Sequence, residues 1–264
     1  MSPDLLFWLA LILKMAVTAG FVVAATLTAE CAGPLVGAMV ATLPISAGPA
    51  YVFLALDHDP SFLADSALMS VATNPALAVF ALIYAVLASR QSLLVSLGTA
   101  LAVWFVLIAL LQTVRWTLPE VLALNIVVFP ACYYLARSYR HASIPRVRTY
   151  WYDLALRAGA VALVVAAVVG LSFYIGPGWT GPLAVFPIVM SSMAVILHRR
   201  VGGVAAAAVF ANSILGLVGF GSALLVLALT VAPLGPALAL PLALAVSFAW
   251  GLSVIGVRRL MRRR

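Results

Sequence analysis

Two prolines lie inside long apolar runs of this 264-residue chain, and each has small or hydroxyl-bearing neighbours. A proline within a helix removes one backbone hydrogen bond and crowds the preceding turn, so the helix kinks or breaks there. Backbone groups freed in this way near the middle of a bilayer can hold ions or small solutes. A kink that serves packing alone is the competing interpretation. The candidate binding residues are Thr42, Pro44 and Ser46 in the first run and Pro187, Ser191 and Ser192 in the second.

Three further polar side chains interrupt apolar segments: Lys14, Asn74 and Asn212. An unpaired amide is costly in apolar surroundings, so we expect both asparagines to face the protein interior. There they would either line one central cavity or make hydrogen bonds between helices. An ionisable residue within a membrane span is by default a candidate for function, although Lys14 could instead extend its ammonium group to the membrane surface.

The sequence contains no recognisable catalytic motif: there is no Walker loop, His-Glu-x-x-His, Gly-x-Ser-x-Gly or paired Cys-x-x-Cys. His58 stands between Asp57 and Asp59, which are metal-ligand residue types, but one short acidic loop is more typical of a solvated turn. We therefore predict that the protein is not an enzyme and that it has no metal and no cofactor.

The composition predicts a membrane protein made of helices. Hydrophobic residues make up 66% of the chain, charged residues 8%, and the mean hydropathy is +1.19. The apolar runs are continuous, whereas the strands of a membrane barrel alternate apolar and polar residues. About 20 residues cross a bilayer as a helix, so we predict nine spans. They are 5–27, 33–56, 67–88, 91–113, 118–136, 154–175, 180–197, 203–231 and 236–256, and a count of ten would split the eighth at Gly216, Gly219 or Gly221.

The charged residues predict the orientation of these spans. With nine spans, the cluster of arginines between 137 and 148, Arg199, Arg200 and the basic tail fall on one side, and most acidic loop residues fall on the other. Basic loops stay cytoplasmic. We expect a multi-pass protein of the bacterial inner membrane with the N-terminus outside and the C-terminus inside. The net charge of +8 then meets lipid headgroups rather than nucleic acid.

A shift of 143 residues aligns the two halves of the chain. Lys14 then meets Arg157, Gly33-Pro34 meets Gly176-Pro177, and Pro44 meets Pro187 without a gap. Farther along the chain, the loop is shorter in the second copy, and a smaller shift aligns Asn74 with Asn212. Four spans in each copy and one span between them make the second copy enter the membrane from the opposite side. The predicted fold is therefore all-α, with two inverted four-helix repeats (1–113 and 154–264) joined by a linking segment (114–153) that carries the central helix and a basic loop.

Short motifs in both copies resemble the small GlpM-type inner-membrane proteins. The motifs are Gly-Pro-Leu-Val-Gly (33–37) and Leu-Pro-Ile-Ser (43–46) in the first copy, and Gly-Pro-Leu-Ala-Val-Phe-Pro-Ile (181–188) in the second. The resemblance implies a tandem, duplicated member of that family with an added linking span. It implies no substrate.

Inverted repeats with kinked helices favour a secondary transporter or exporter of a small solute, with its site at the middle of the membrane. The alternative is a non-transporting membrane component of an envelope or lipid-handling complex. Membrane lipids are expected partners in either case. The sequence leaves open the solute or ion carried, and whether the chain forms a homodimer or binds a membrane partner.

Overall fold

The computed structural model describes residues 3–31, 47–142 and 150–262, and this part of the chain is built from helices without a strand. The helices are α1 (Pro3–Cys31), α2 (Ala47–Asp57), α3 (Pro60–Ala88), α4 (Leu93–Leu111), α5 (Leu118–Leu135), α6 (Trp151–Ala184), α7 (Ile188–Leu234) and α8 (Pro236–Arg262), with a 3₁₀ turn at Ala136–Tyr139. The all-helical prediction is confirmed.

Six helical stretches of the described chain are long and apolar enough to cross a membrane. They are Trp8–Leu27, Pro60–Ala88, Leu93–Leu111, Leu118–Tyr139, Trp151–Leu234 and Pro236–Val257. In lipid, a helix satisfies its own backbone hydrogen bonds, which is why such apolar sequences are helical. This is the architecture of an all-α, multi-pass membrane protein.

Glycines with positive φ divide the C-terminal part into shorter helices. Gly176 (φ 69°, ψ 176°), Gly202 (φ 82°, ψ 164°) and Gly235 (φ 74°) adopt backbone conformations that residues with a Cβ rarely reach. We therefore name four segments: α6a (151–175), α6b (177–184), α7a (188–201) and α7b (203–234). The helix of the eighth predicted span continues through Gly216, Gly219 and Gly221, so those residues do not split it.

Helix α3 occupies the centre of the bundle. In its most apolar window 72% of the residues are buried, compared with 17–22% in α1, α4, α5 and α8, whose outer faces are available to lipid. It packs most extensively against α7. Small residues let membrane helices approach closely. The fully buried alanines of the two helices are Ala67, Ala72, Ala78, Ala81, Ala85, Ala194, Ala206, Ala208 and Ala211.

Gly181 and Gly203 mark two places where the backbone of another segment lies very close to the backbone of α3. A Cβ on Gly181 would lie 2.2 Å from the carbonyl oxygen of Ser66, and a Cβ on Gly203 would lie 1.7 Å from that of Ala88. The short helix α6b therefore lies directly against the first half of α3, and the start of α7b lies against its end.

Candidate functional site

A break separates α6b from α7a at Val185–Pro187, as the proline predicts. The last turn of α6b closes with bonds from the Val185 amide to the Gly181 carbonyl (3.3 Å) and from the Phe186 amide to the Leu183 carbonyl (3.1 Å). Helix α7a then begins at Ile188, immediately after Pro187. Two half-helices thus meet end to end inside the bundle.

Aromatic rings and two polar groups surround this break. The ring centre of Trp104, on α4, lies 5.2 Å from that of Phe186, and Trp104 is buried. Within the described part of the chain, the Trp104 indole Nε1 and the Ser191 Oγ are buried and have no hydrogen-bond partner. An N–H donor and a hydroxyl left unmatched in this way can bind a polar group of a ligand. The neighbouring Ser192 hydroxyl is already used, because it donates to the Val189 carbonyl at 2.9 Å.

The hydroxyl groups of Tyr51 and Ser70 connect α2 and α6b to α3. Ser70 Oγ donates to the carbonyl of Gly181 (2.8 Å) and lies 2.7 Å from the Tyr51 hydroxyl. Because a serine hydroxyl has one proton, Tyr51 must be the donor to Ser70. The chain Tyr51–Ser70–Gly181 therefore fastens α2 and α6b to the same stretch of α3. Tyr51 and Ser70 are not among the residues predicted from the sequence, because neither has a matching residue at the equivalent position of the other half.

Side-chain amides satisfy two carbonyl groups that prolines leave unbonded. Pro75, inside α3, has no N–H for the carbonyl of Val71, and Asn125 Nδ2 of α5 donates to that carbonyl at 3.0 Å. Pro182 likewise leaves the carbonyl of Gly178 unbonded, and Gln112 Nε2 donates to it at 2.8 Å. The interior of a membrane bundle tolerates proline where such partners are supplied.

Asn74 and Asn212 each hold a contact between segments. Asn74 is fully buried, and its Nδ2 donates to the carbonyl of Leu217 at 3.0 Å. A Cβ on Gly221 would lie 2.2 Å from this nitrogen, so the contact needs glycine there. Asn212 Nδ2 donates to the carbonyls of Arg140 (3.2 Å) and Ala208 (2.9 Å). These contacts go to different partners, which favours hydrogen bonding between segments over one shared cavity.

Lys14 forms an ion pair with Asp57, at the end of α2 (Nζ–Oδ2 2.5 Å), and both side chains are about four-fifths buried. Asp57 was not predicted as the partner of Lys14, because 43 residues separate the two. A second ion pair joins Asp153, at the start of α6a, to Arg200, at the end of α7a (2.7 Å). In each half, an ion pair thus ties the end of a half-helix to the long helix that precedes it.

His58 is anchored rather than free in a solvated turn. Its ring stacks on Phe62, with centres 3.9 Å apart, and its Nε2 lies 2.7 Å from Ser172 Oγ. Ser172 gives its proton to the carbonyl of Val169 (2.7 Å), so His58 Nε2 must carry a proton and donate. Among the described residues, His, Cys, Asp and Glu side chains do not form a group of three that could hold a metal ion.

Burial lowers the pKa of His58, and this outweighs the opposite effect of Asp57 and Asp59. The folded protein therefore resists protonation more than the unfolded chain does, and stability is lost as the pH falls below about 6.5. We expect the melting temperature in detergent to decrease between pH 7.5 and pH 5.5, and His58→Gln to reduce that decrease. The exposed His141→Gln serves as the control, and an equal decrease in wild type and His58→Gln would contradict the prediction.

An apolar groove lies between segments from the two halves of the chain. Its volume is about 400 Å³, within the ~300–1,000 Å³ typical of small-molecule sites. The walls come from α1, α2, α7b and α8. Four of the lining residues are 40–53% exposed, so the groove opens sideways to the surface of the bundle: Val17, Phe21, Val52 and Leu244.

Thr42, Pro44 and Ser46 lie outside the described residues. The structure places Pro187, Ser191 and Ser192 together at the break, and it places Lys14, Asn74 and Asn212 elsewhere. Comparison of the chain with protein-family models, characterised proteins and solved structures found no match.

Proposed function

We propose that the protein is a secondary transporter or exporter of a small solute in a bacterial inner membrane. The observation that carries this proposal is the break at Val185–Pro187, where two half-helices meet beside the unmatched Trp104 Nε1 and Ser191 Oγ. Discontinuous helices of this kind form the binding sites of many secondary transporters. In this proposal Trp104 and Ser191 contact the solute, and Pro187 keeps the half-helices apart.

The proposal includes nine crossings, with the N-terminus outside and the C-terminus inside. Two contacts support the seventh crossing, 177–201. Its beginning lies at the end of α4, where Gln112 bonds to Gly178, and its end lies at the end of α3, where Gly203 meets Ala88. Since α3 and α4 run in opposite directions through the bundle, these two ends belong to opposite membrane faces. Segment α7b then returns across the membrane, and α8 crosses once more.

The proposed repeats have matching features at the 143-residue offset. The turn at Gly176 corresponds to Gly33, the break at Pro187 to Pro44, and Arg200 at the end of α7a to Asp57 at the end of α2. The two ion pairs have reversed polarity: the half-helix supplies the acid in the first half and the base in the second. The basic end of the half-helix then lies on the proposed cytoplasmic face, which agrees with the positive-inside rule. We likewise propose, from the short motifs in both copies, that the chain is a duplicated GlpM-type protein.

Equivalent segments of the proposed repeats face the opposite half, which supports the inverted arrangement. In the second half, α7a is held against α3 by the Tyr84 hydroxyl, 3.1 Å from His198 Nδ1. In the first half, α2 borders the groove against α7b. In transporters built from inverted repeats, exchanging the conformations of the two halves changes the side of the membrane to which the site opens.

Cysteine accessibility tests the proposal without knowledge of the solute. In a cysteine-free background, we expect Ser191→Cys to react with a membrane-impermeant thiol reagent from at least one side of sealed vesicles. Val127→Cys, on the exposed face of α5, is the control that lipid should protect. If Ser191→Cys reacts no faster than Val127→Cys, water does not reach the break and the proposal fails.

A non-transporting component of an envelope or lipid-handling complex is the second candidate, and the apolar lining of the groove favours it. Flux measurements separate the two. Proteoliposomes loaded with a panel of labelled small solutes should show protein-dependent flux of at least one of them, and Ser191→Ala should change that flux. Flux absent across the panel, together with an unreactive Ser191→Cys, would support the second candidate.

A further inference from the structure

We infer that the apolar groove binds one acyl chain of a zwitterionic phospholipid, whose head lies at the Lys14–Asp57 ion pair. The inference does not depend on transport, because the groove would hold this lipid whether or not a solute crosses the membrane. The occupant is identified by two properties of the site: the apolar walls and the charges at one end.

The walls of the groove match a hydrocarbon chain. The lining side chains are almost entirely apolar, and they include Val17 and Phe21 of α1 and Phe53 of α2. The sideways opening is at the level of the exposed apolar faces of α1 and α8, from which a lipid chain can enter without passing through water. A volume of about 400 Å³ leaves room for a single small ligand, and the apolar lining favours a hydrocarbon chain over a polar solute.

The ion pair stands one helical turn beyond the groove. Lys14 precedes Val17 by three residues on α1, and Asp57 follows Phe53 by four residues on α2, so both lie on the faces that line the groove. The ammonium group of Lys14 is 5.9 Å from the centre of the Phe53 ring. A chain in the groove would therefore bring its headgroup to these two charges.

Charge pairing determines the kind of head. An anionic head that bound Lys14 would leave Asp57 partly buried without its counter-charge, which is costly. A head with a phosphate and a primary ammonium group can pair with Lys14 and Asp57 together, and each charge then keeps a partner. Phosphatidylethanolamine has this chemistry, whereas the quaternary ammonium group of phosphatidylcholine cannot donate a hydrogen bond to Asp57.

Photo-crosslinking of the whole protein tests the inference. The probe is phosphatidylethanolamine with a diazirine in one chain, present at low mole fraction in phosphatidylcholine vesicles. We expect crosslinks to concentrate on the groove-lining parts of α2, α7b and α8. Unlabelled phosphatidylethanolamine should reduce them more than unlabelled phosphatidylglycerol or phosphatidylcholine does.

Variants separate the chain site from the head site. Leu244→Trp fills the groove and should abolish the crosslinks there, whereas Leu238→Trp, at an exposed position of α8 outside the groove, should preserve them. The double variant Lys14→Gln/Asp57→Asn should keep the crosslinks but remove the preference among competing lipids. Even labelling around the bundle, or equal competition by all three lipids in the wild-type protein, would overturn the inference, and strongest competition by phosphatidylglycerol would overturn the assigned head.

Discussion

Gly203→Ala is expected to destabilise the protein by about 1–3 kcal/mol or more, which is the usual cost of forcing atoms into a packed interior. The added methyl group would lie 1.7 Å from the Ala88 carbonyl oxygen and 2.8 Å from its carbon. Backbone atoms cannot turn aside as a flexible side chain can, so α7b must move away from the end of α3. Because these helices form the centre of the bundle, the loss should appear in global unfolding, measured with a chemical denaturant in mixed micelles.

Gly98→Ala is the matched control on α4. A Cβ at Gly98 would have no neighbour within 4 Å. Alanine is favoured over glycine within a helix by up to about 1 kcal/mol, so this variant should be as stable as the wild type or more so. The same substitution, glycine to alanine, is thus predicted to lower the free energy of unfolding at residue 203 and to leave it unchanged or raise it at residue 98. A stable, normally assembled Gly203→Ala protein would contradict the close approach of α7b to α3.

Asn125→Leu is expected to cost about 1–3 kcal/mol, because it leaves a buried carbonyl group without a donor. That carbonyl belongs to Val71, whose ordinary partner in the helix is missing since residue 75 is proline. Leucine is similar in size to asparagine and suits an apolar bundle, so the loss would report the hydrogen bond rather than packing. The measurement is again the free energy of unfolding in micelles.

Pro75→Ala in the Asn125→Leu background provides the sharper test. Alanine restores an N–H at residue 75, which can bond to the Val71 carbonyl, so the second substitution should recover most of the loss. In the wild-type background, Pro75→Ala should have a smaller effect, since Asn125 already satisfies that carbonyl. If the two substitutions act additively, Asn125 does not compensate for the proline.

The break at Pro187 is a feature that the properties of a single residue can predict. A proline and its missing N–H are properties of the sequence alone, so the interruption of the seventh predicted span could be anticipated, and the structure has it at Val185–Pro187. The glycines of the eighth predicted span do not interrupt their helix. In lipid, a broken helix leaves backbone groups unsatisfied, so Gly219 and Gly221 stay helical, and they admit the Trp250 ring and the Asn74 amide instead. The turn is at Gly202.

The candidate site depended more on tertiary structure. Ser191 and Pro187 could be chosen from the sequence because they are neighbours in one apolar run, but Trp104 could not, since a buried tryptophan on another helix has no local signal. The partners of Lys14 and of the proline-freed carbonyls, Asp57, Asn125 and Gln112, are likewise distant in sequence. Thr42, Pro44 and Ser46 stay predictions.

The sequence by itself determined the all-helical membrane class, because a chain with 8% charged residues and unbroken apolar runs can satisfy its backbone in lipid only within helices. It also marked Pro187 as a candidate interruption. Which prolines break a helix was decided by the tertiary structure, because Pro75 and Pro182 stay within helices where side-chain amides satisfy the carbonyl groups that they free. The tertiary structure decided which helices meet, which polar groups find partners and where a groove remains. These features depend on contacts between residues far apart in the chain, and one apolar helix face is nearly equivalent to another until packing distinguishes them.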